Sequence, residues 1–278
     1  LGVLKKIYEI ELGEKPVGID IDQINKKIYI TNPKSNNITE IDLLKKTKES
    51  IFGEESPIGI IISKGKKNLF VTNWYKGIVS VININKKKII RKIKVGDNPA
   101  GIELNHNSGD IYVANRGSNS ISVIDSNTLN LKKTINVQKA PFGIFVDNKN
   151  KNIFVANVQS NSVSVIGIKK LEFIKNIKVG KWPYHVAFDD YNNKILVSNQ
   201  RDNSISIIDA NSLEVKKTID DFCEYPEGIN VNSNKKIAIV ACWFNDEVAI
   251  IDLLDYSLKK KITTSGGPRA FGNFIIEN

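Results

Sequence analysis

Residues 99–137 read PAGIELNHNSGDIYVANRGSNSISVIDSNTLNLKKTINV, and this stretch decides the fold. It contains four short runs rich in Ile and Val, and turns of Asn, Gly, Ser and Lys separate them. Such runs are typical of β-strands. No segment of the chain has a convincing helical periodicity. We therefore predict four consecutive antiparallel strands in this stretch.

The proline that opens this stretch recurs along nearly the whole chain, at separations of 41, 42, 42, 42, 43 and 42 residues. A period of roughly 40–45 residues filled with short apolar runs is typical of a β-propeller with four-stranded blades. We predict an all-β fold, with residues 1–278 forming a single β-propeller domain. The repeats are expected to start near Pro16, Pro57, Pro99, Pro141, Pro183, Pro226 and Pro268.

The number of blades follows from counting strands by their place in the repeat. There are seven copies of the first and fourth strands, but six of the second and third. Residues 1–13 contain a fourth strand, and residues 269–276 contain a first strand. The simplest interpretation is a seven-bladed ring whose closing blade uses both termini and lacks two strands. A six-bladed ring would leave two strands over.

The second strands carry a family resemblance. They end in IYITN (28–32), FVTN (70–73), YVAN (112–115), FVAN (154–157) and LVSN (196–199), each followed by a version of Asn-x-Ile-Ser-Val-Ile-Asp. The chain resembles the YVTN-repeat β-propellers of surface-layer and periplasmic type over essentially its whole length. The resemblance implies the fold and leaves the function open, because propellers host many unrelated activities. We expect the recurrent Asn to satisfy backbone groups of the proline loop.

Both cysteines belong to one repeat. Cys223 stands three residues before Pro226, where other repeats have glycine, and Cys242 takes the position of the recurrent Asn. We predict a disulfide between them; the alternative is two free buried thiols. A disulfide would indicate a protein of the periplasm, cell surface or secreted space. No metal site is predicted, since two cysteines without nearby His or acidic partners fall short of the usual four ligands.

Aromatic and arginine side chains concentrate beside the prolines and beside the recurrent Asn. Both positions are expected on one face, around the mouth of the central channel. Loops favour small polar residues, so this composition suits a surface that binds a peptide, a glycan or an extended polymer. Alternatively, some of the tryptophans merely cover the proline loops. The candidate ligand-binding residues are Trp74, Arg116, Phe142, Trp182, Tyr184, His185, Trp243 and Arg269.

His185 is the candidate for any catalytic role. It takes a position held by glycine in five other repeats, and no acidic partner is evident. A lone histidine is more often a hydrogen-bonded wall residue than a general base. The sequence has no dinucleotide-binding glycine motif after a strand and no haem attachment motif. We therefore predict no cofactor and no enzyme, with an oxidoreductase or lyase subunit as the alternative.

The chain carries 40 Lys and Arg against 30 Asp and Glu, a formal net charge of +10. Many of the lysines form short runs at one phase of the repeat, which is typical of outer strands protected from pairing with another chain. Attraction to single-stranded nucleic acid is the alternative. No apolar run is long enough to span a bilayer. The leading hypothesis is an extracytoplasmic binding module or scaffold, working through its proline face with a protein partner or polymer and as a candidate subunit of a larger complex.

Overall fold

The computed structural model describes residues 9–276, which form six four-stranded antiparallel sheets arranged as the blades of a propeller. The strands of each blade pair in chain order, and the first strands of neighbouring blades contact one another. The first three blades contain β1 (Gly18–Asp22), β2 (Lys27–Asn32), β3 (Asn37–Asp42), β4 (Thr47–Phe52), β5 (Pro57–Ile62), β6 (Asn68–Asn73), β7 (Ile78–Asn83), β8 (Lys88–Lys94), β9 (Pro99–Leu104), β10 (Asp110–Asn115), β11 (Ser120–Asp125) and β12 (Asn130–Asn136).

The other three blades contain β13 (Pro141–Asp147), β14 (Asn152–Asn157), β15 (Ser162–Gly167), β16 (Glu172–Lys178), β17 (Pro183–Asp189), β18 (Lys194–Asn199), β19 (Ser204–Asp209), β20 (Glu214–Ile219), β21 (Pro226–Asn232), β22 (Ile237–Cys242), β23 (Glu247–Asp252) and β24 (Leu258–Thr263). A two-residue strand, β25 (Phe271–Gly272), follows. Two single-turn 3-10 helices, Val158–Ser160 and Gln200–Asp202, are the helices of the described part of the chain, and neither is long or apolar enough to span a membrane.

The predicted seven-bladed ring is wrong, because the structure has six blades. Within residues 9–276 there are six copies each of the second and third strands, and they make six complete sheets. The seventh first-strand copy forms β25, which pairs in parallel with β1 at the inner edge of the first blade instead of opening a blade of its own. Of the predicted outer strand, residues 1–8 lie outside the described residues, and residues 9–12 are not in a strand.

Burial explains why the blades pack as they do. The second strands are buried along most of their length, whereas each fourth strand has at most one buried residue. Five apolar clusters, rich in Ile and Val, join neighbouring blades from the first to the sixth. The lysine runs lie within the exposed fourth strands, as at 132–133, 216–217 and 259–261, or in the turns that lead into them, as at 45–46 and 169–170, which agrees with their expected place on the rim.

The residue before the recurrent Asn joins one blade to the next. The Thr72 Oγ1 atom accepts a hydrogen bond from the Gly59 N–H at 2.7 Å and donates one to the Ala100 carbonyl of the next blade, also at 2.7 Å. Thr31 and Ser198 make the corresponding bonds in two other blades. The hydroxyl in this position therefore satisfies backbone groups of two blades at once.

The recurrent Asn itself bonds to the third strand of its own blade, so its expected hydrogen bond to the proline loop is wrong. The Asn115 Nδ2 atom donates to the hydroxyls of Ser120 and Ser122 at 3.0 Å each. Its side chain also lies directly against Gly96, where an added Cβ would come within 2.7 Å of it. In the three repeats that have glycine at this position, Gly13, Gly96 and Gly180, the Asn side chain fills the space that a Cβ atom would need.

The last blade replaces this glycine–asparagine pair by a disulfide. Cys223 and Cys242 are bonded through their sulfur atoms, with their Cα atoms 5.4 Å apart. The bond ties the loop before β21 to the end of β22, at the place where three other blades have an Asn side chain packed against Gly. It thus anchors one proline loop covalently.

Candidate ligand-binding site

A cleft of about 410 Å³ opens on the face that carries the proline loops. A recurrent backbone hydrogen bond builds this face. The N–H of the residue after the recurrent Asn donates to the carbonyl before the proline, as from Arg116 to Asn98 at 3.1 Å and from Gln200 to Trp182 at 2.9 Å. The cleft is lined by Val17, Ser56, Ile58, Trp74, Tyr75, Arg116, Phe142, Tyr184, Arg269 and Phe271.

Three aromatic rings form the floor of the cleft and cover the end of the channel. Phe142 and Phe271 are 7% and 6% exposed, and their ring centroids lie 4.8 Å apart in an edge-to-face arrangement. Tyr184 lies 5.0 Å from Phe142 and 6.0 Å from Phe271. Trp74 and Trp182 pack against the same group and stay partly exposed. These spacings are within the favourable range for aromatic pairs.

The residues before the prolines adopt a left-handed backbone conformation, including Trp182 (φ 53°) and Tyr225 (φ 51°). Their N–H groups donate to the Oδ1 atoms of Asn161 and Asn203 in the preceding blades, at 3.1 and 3.0 Å. Other repeats place Lys, Ser, Asn or Ala in this conformation. The fold therefore does not require an aromatic side chain there, and bulky residues adopt it at a cost.

Arg116 lies over the aromatic floor. Its Cζ atom is 5.8 Å from the centre of the Phe142 ring and 5.9 Å from that of Tyr184, within the range of cation–π attraction. Its Nη1 atom is buried, and no hydrogen-bond partner for it exists among residues 9–276. A buried donor of this kind is uncommon in folded proteins.

Arg269 lines the other side of the cleft and is held by a buried carboxylate. Its Nε atom lies 3.2 Å from Glu227 Oε2, and the Gln200 Nε2 atom donates to Glu227 Oε1 at 2.5 Å. Glu227 is completely buried, and burial raises its pKa to about 6 although Arg269 acts in the opposite direction. The Arg269 guanidinium also stacks on Trp243, with 4.8 Å between Cζ and the ring centre.

The remaining aromatic candidates lie at the edge of this face. Trp243 forms a group with Tyr225 and the exposed Phe244, at centroid distances of 5.9 and 6.5 Å. Trp182 is covered by Arg201, whose Cζ atom lies 4.1 Å from its ring centre. Five of the eight candidates thus meet in the cleft, namely Trp74, Arg116, Phe142, Tyr184 and Arg269. Trp182 and Trp243 flank them.

His185 lies below the cleft, inside the channel. It is 8% exposed, and its Nδ1 atom is 2.9 Å from the Ile229 carbonyl of the next blade. Burial lowers its pKa to about 4, so the neutral ring is favoured near neutral pH. His185 lines two spaces in the channel. The space next to Phe271 measures about 20 Å³, and a cavity farther along, which Glu103 also lines, measures about 210 Å³. These contacts make His185 a wall residue that joins two blades.

Phe271 is the main site residue that the sequence did not indicate. It takes the repeat position that holds Ile or Val in the six blades, so the sequence predicts only a place within a first strand. The large aromatic side chain at an aliphatic position was the available signal. Val17 and Ile58, which directly follow Pro16 and Pro57, also line the cleft.

The comparisons with known proteins support the fold. A family model described as YNCE-like beta-propeller matches residues 104–194, which supports a β-propeller family. The chain is a β-propeller. The match does not confirm the narrower resemblance to YVTN-repeat proteins, and no curated protein matches the chain.

Solved structures extend the likeness to the whole length. The chain is similar to a chain of Kuenenia stuttgartiensis hydrazine synthase, at 20% identity and a TM-score of 0.81, covering 97% of this chain and 92% of that one. It is also similar to a functionally unknown protein from Desulfotomaculum acetoxidans DSM 771, at 13% identity and a TM-score of 0.83, with the same coverage. At these identities the likeness shows the fold alone.

Proposed function

We propose that this protein is an extracytoplasmic binding module that captures a protein partner through the cleft on its proline face. The observation that carries the proposal is the aromatic floor between two arginines. Phe142, Tyr184 and Phe271 come from different parts of the ring, and neighbouring blades are already joined by five other apolar clusters. Concave sites lined by aromatic residues with a few convergent polar groups are the usual form of a binding site.

The composition of the cleft favours binding over catalysis. Among residues 9–276, no Asp, Glu or His side chain lines it. Within residues 9–276 no group of three or more His, Cys, Asp or Glu side chains is arranged to hold a metal ion. General acid–base chemistry needs a titratable group within hydrogen-bond reach of the substrate. We therefore do not assign an activity to the alternative site around His185.

The position of the lysines disfavours the nucleic-acid alternative. Single-stranded nucleic acid requires basic groups along the same groove as the stacking rings. In the part of the chain that the structure describes, no lysine lines the cleft. Several lysines of the outer strands are paired with carboxylates, as Lys132 is with Asp110 at 2.8 Å and Lys259 with Asp252 at 2.6 Å.

The disulfide supports a location outside the cytoplasm. Structural disulfides persist in oxidising compartments and are rare where thiols are kept reduced. The Cys223–Cys242 bond lies at the base of a proline loop, beside the Trp243 group, so it also anchors part of the proposed binding face.

Panning of peptide libraries tests the proposal directly. One library presents random peptides with free amino termini and a second presents them with free carboxyl termini. The test variant is Trp74→Ala/Tyr184→Ala, since Trp182 is already covered by Arg201. The matched control is Phe52→Ala/Tyr191→Ala, which removes two rings that are 82% and 54% exposed outside the cleft.

We expect peptides enriched on the wild-type protein to be captured equally by the control variant and to be lost from the Trp74→Ala/Tyr184→Ala variant. Circular dichroism confirms that both variants are folded. If neither library yields an enriched peptide, or if enriched peptides bind the two variants equally, the proposed binding site is wrong.

A further inference from the structure

We propose that the cleft recognises the C-terminal carboxylate of a peptide whose last residue has a large apolar side chain. This inference rests on the proposed function and names its ligand class. It follows from the charge of the cleft, from an unpartnered buried guanidinium nitrogen, from the way the second guanidinium is held, and from the apolar floor between them.

The charge of the lining selects an anion. Arg116 and Arg269 line the cleft, and no carboxylate side chain of the described residues 9–276 does. Glu227 lies beneath this surface, completely buried, and it contacts one edge of Arg269. A negatively charged ligand would therefore contact two guanidinium groups and would not be repelled by a negatively charged side chain in the lining. Arginine suits carboxylates in particular, because its planar guanidinium matches the two carboxylate oxygens.

Arg116 supplies a donor that lacks an acceptor. Its Nη1 atom is shielded from solvent and has no hydrogen-bond partner in the part of the chain that the structure describes. A buried charged donor without an acceptor is costly, so a ligand oxygen at this atom would restore a lost interaction. The stacking of the guanidinium over Phe142 and Tyr184 orients that donor before the ligand arrives.

Arg269 is also oriented in advance. The contacts from Gln200 to Glu227 and from Glu227 to Arg269 hold the guanidinium at its Nε atom. A side chain that is already ordered loses less conformational entropy on binding, so this arrangement favours affinity.

The apolar floor of the cleft favours a ligand that carries an apolar side chain beside its carboxylate. Phe142, Phe271 and Ile58 line the cleft between the arginines. A C-terminal residue carries a carboxylate and an apolar side chain on a single Cα atom, so it can reach both features together. The volume of about 410 Å³ lies near the lower end of ligand pockets, roughly 300–1,000 Å³, which suits the end of a chain rather than a long segment.

Tryptophan fluorescence provides the test, because Trp74 lines the cleft. The probes are three acetylated tripeptides, Gly-Gly-Leu, Gly-Gly-Phe and Gly-Gly-Trp, each prepared with a free carboxylate and with a C-terminal amide; calorimetry replaces fluorescence for the Trp peptide. We expect at least one free acid to bind saturably, and its amide to bind roughly tenfold to a hundredfold more weakly, as expected for losing a hydrogen-bonded charge.

Arg116→Gln should weaken binding of the free acid by a similar factor and leave the amide almost unaffected. Arg91→Gln removes the same charge from the exposed strand β8 and should leave both affinities unchanged. Arg269→Gln is less informative, because it leaves the buried Glu227 without its ion pair. Thermal denaturation shows whether Arg116→Gln retains the stability of the wild type.

Equal affinity of acid and amide for all three peptides overturns the inference, and so does the absence of saturable binding by every free acid. The inference is also overturned if binding is sensitive to salt and Arg91→Gln weakens it as much as Arg116→Gln does. The peptide would then be attracted by the positive charge of the protein as a whole and not by the cleft. The libraries separate this failure from that of the proposed function. Enrichment from the library with free amino termini alone, lost in the Trp74→Ala/Tyr184→Ala variant, would support a binding module at the cleft. The same result would refute recognition of a C-terminal carboxylate.

Discussion

At the scale of single residues, the distinctive features of this protein lie where a repeat position holds an unexpected side chain. His185 replaces a glycine and joins two blades through the Ile229 carbonyl. Cys223 and Cys242 replace a glycine and an asparagine that pack together in other blades. The sequence predicted that these two positions meet, because their spacing from the proline is constant. The identity of the Asn partners could not be predicted, since it depends on which hydroxyl of the third strand faces the amide.

Loss of the disulfide should destabilise the protein. Cys223 and Cys242 are separated by 19 residues, and closing a loop of this size contributes on the order of 3 kcal/mol in the chain-entropy model. We expect Cys223→Ser/Cys242→Ser to lower the free energy of unfolding by about this amount in urea denaturation. A reductant should destabilise the wild type similarly and leave the double variant unchanged. Equal stability of oxidised wild type and variant would contradict this prediction.

Glu103 should make stability depend on pH. Burial, with a smaller effect from the nearby Asp20, raises the pKa of Glu103 to about 8. Between the ordinary glutamate pKa and this value the folded protein holds a proton that the unfolded chain has lost, so stability falls as pH rises. Glu103→Gln keeps a carbonyl oxygen for the Leu104 N–H and removes the titration.

We therefore expect the Glu103→Gln variant to have a higher Tm than the wild type at about pH 9 and the same Tm at about pH 4. The exposed Glu172 provides the control substitution Glu172→Gln, which should follow the wild-type pH profile. If the Tm of the wild type, compared with that of the Glu103→Gln variant, is higher at pH 9 than at pH 4, the effect has the wrong sign and the prediction is refuted.

At the scale of strands, the repeat motif is explained by contacts between blades. The second-strand hydroxyl bonds to two blades, and the following Asn bonds within its own blade. Three repeats have Ala in place of the hydroxyl residue, at Ala114, Ala156 and Ala241. Strand existence and order were predictable from alternating apolar runs and turn residues. Strand β25 was not, because two residues pairing in parallel leave no periodic signal.

Thr72→Val tests the contact between the second and third blades. It preserves the shape of the side chain and removes both the acceptor for Gly59 and the donor for Ala100. Leaving such buried backbone groups unsatisfied costs about 1–3 kcal/mol, and we expect that loss of stability in urea denaturation. Thr72→Ser keeps the hydroxyl and should recover most of it. Equal losses for both substitutions would assign the effect to packing instead.

At the scale of the whole molecule, the ring is closed by the C-terminal segment. Residues 269–276 lie between the sixth and first blades, where β25 pairs with β1 and Gln23 Nε2 donates to the Ile275 carbonyl at 2.7 Å. The propeller architecture was predictable from the proline period. The blade count was wrong because a seventh first strand was assumed to organise a seventh blade. The sequence predicted which face of the propeller carries the binding residues. It did not predict the cleft itself, since the floor of the cleft depends on Phe271.

Phe271→Ala should affect closure and binding together. Phe271 is 6% exposed and contacts Phe142, Tyr184 and His185. Truncating a buried Phe typically costs about 3–5 kcal/mol, so we expect a clear fall in Tm. Phe271→Leu keeps most of the apolar volume and should lose much less. Hydrogen exchange should show faster exchange in β1 and β21 for the Ala variant; unchanged exchange there would contradict a role in closure.

Hydrogen–deuterium exchange with and without a peptide enriched on the wild-type protein is the most direct test of the binding cleft, because it locates the bound ligand. We expect protection confined to the proline face, in the segments containing Trp74, Arg116 and Tyr184, and no protection in the Trp74→Ala/Tyr184→Ala variant. Protection confined to the outer strands or to the turns of the opposite face, with these three segments unchanged, would contradict it.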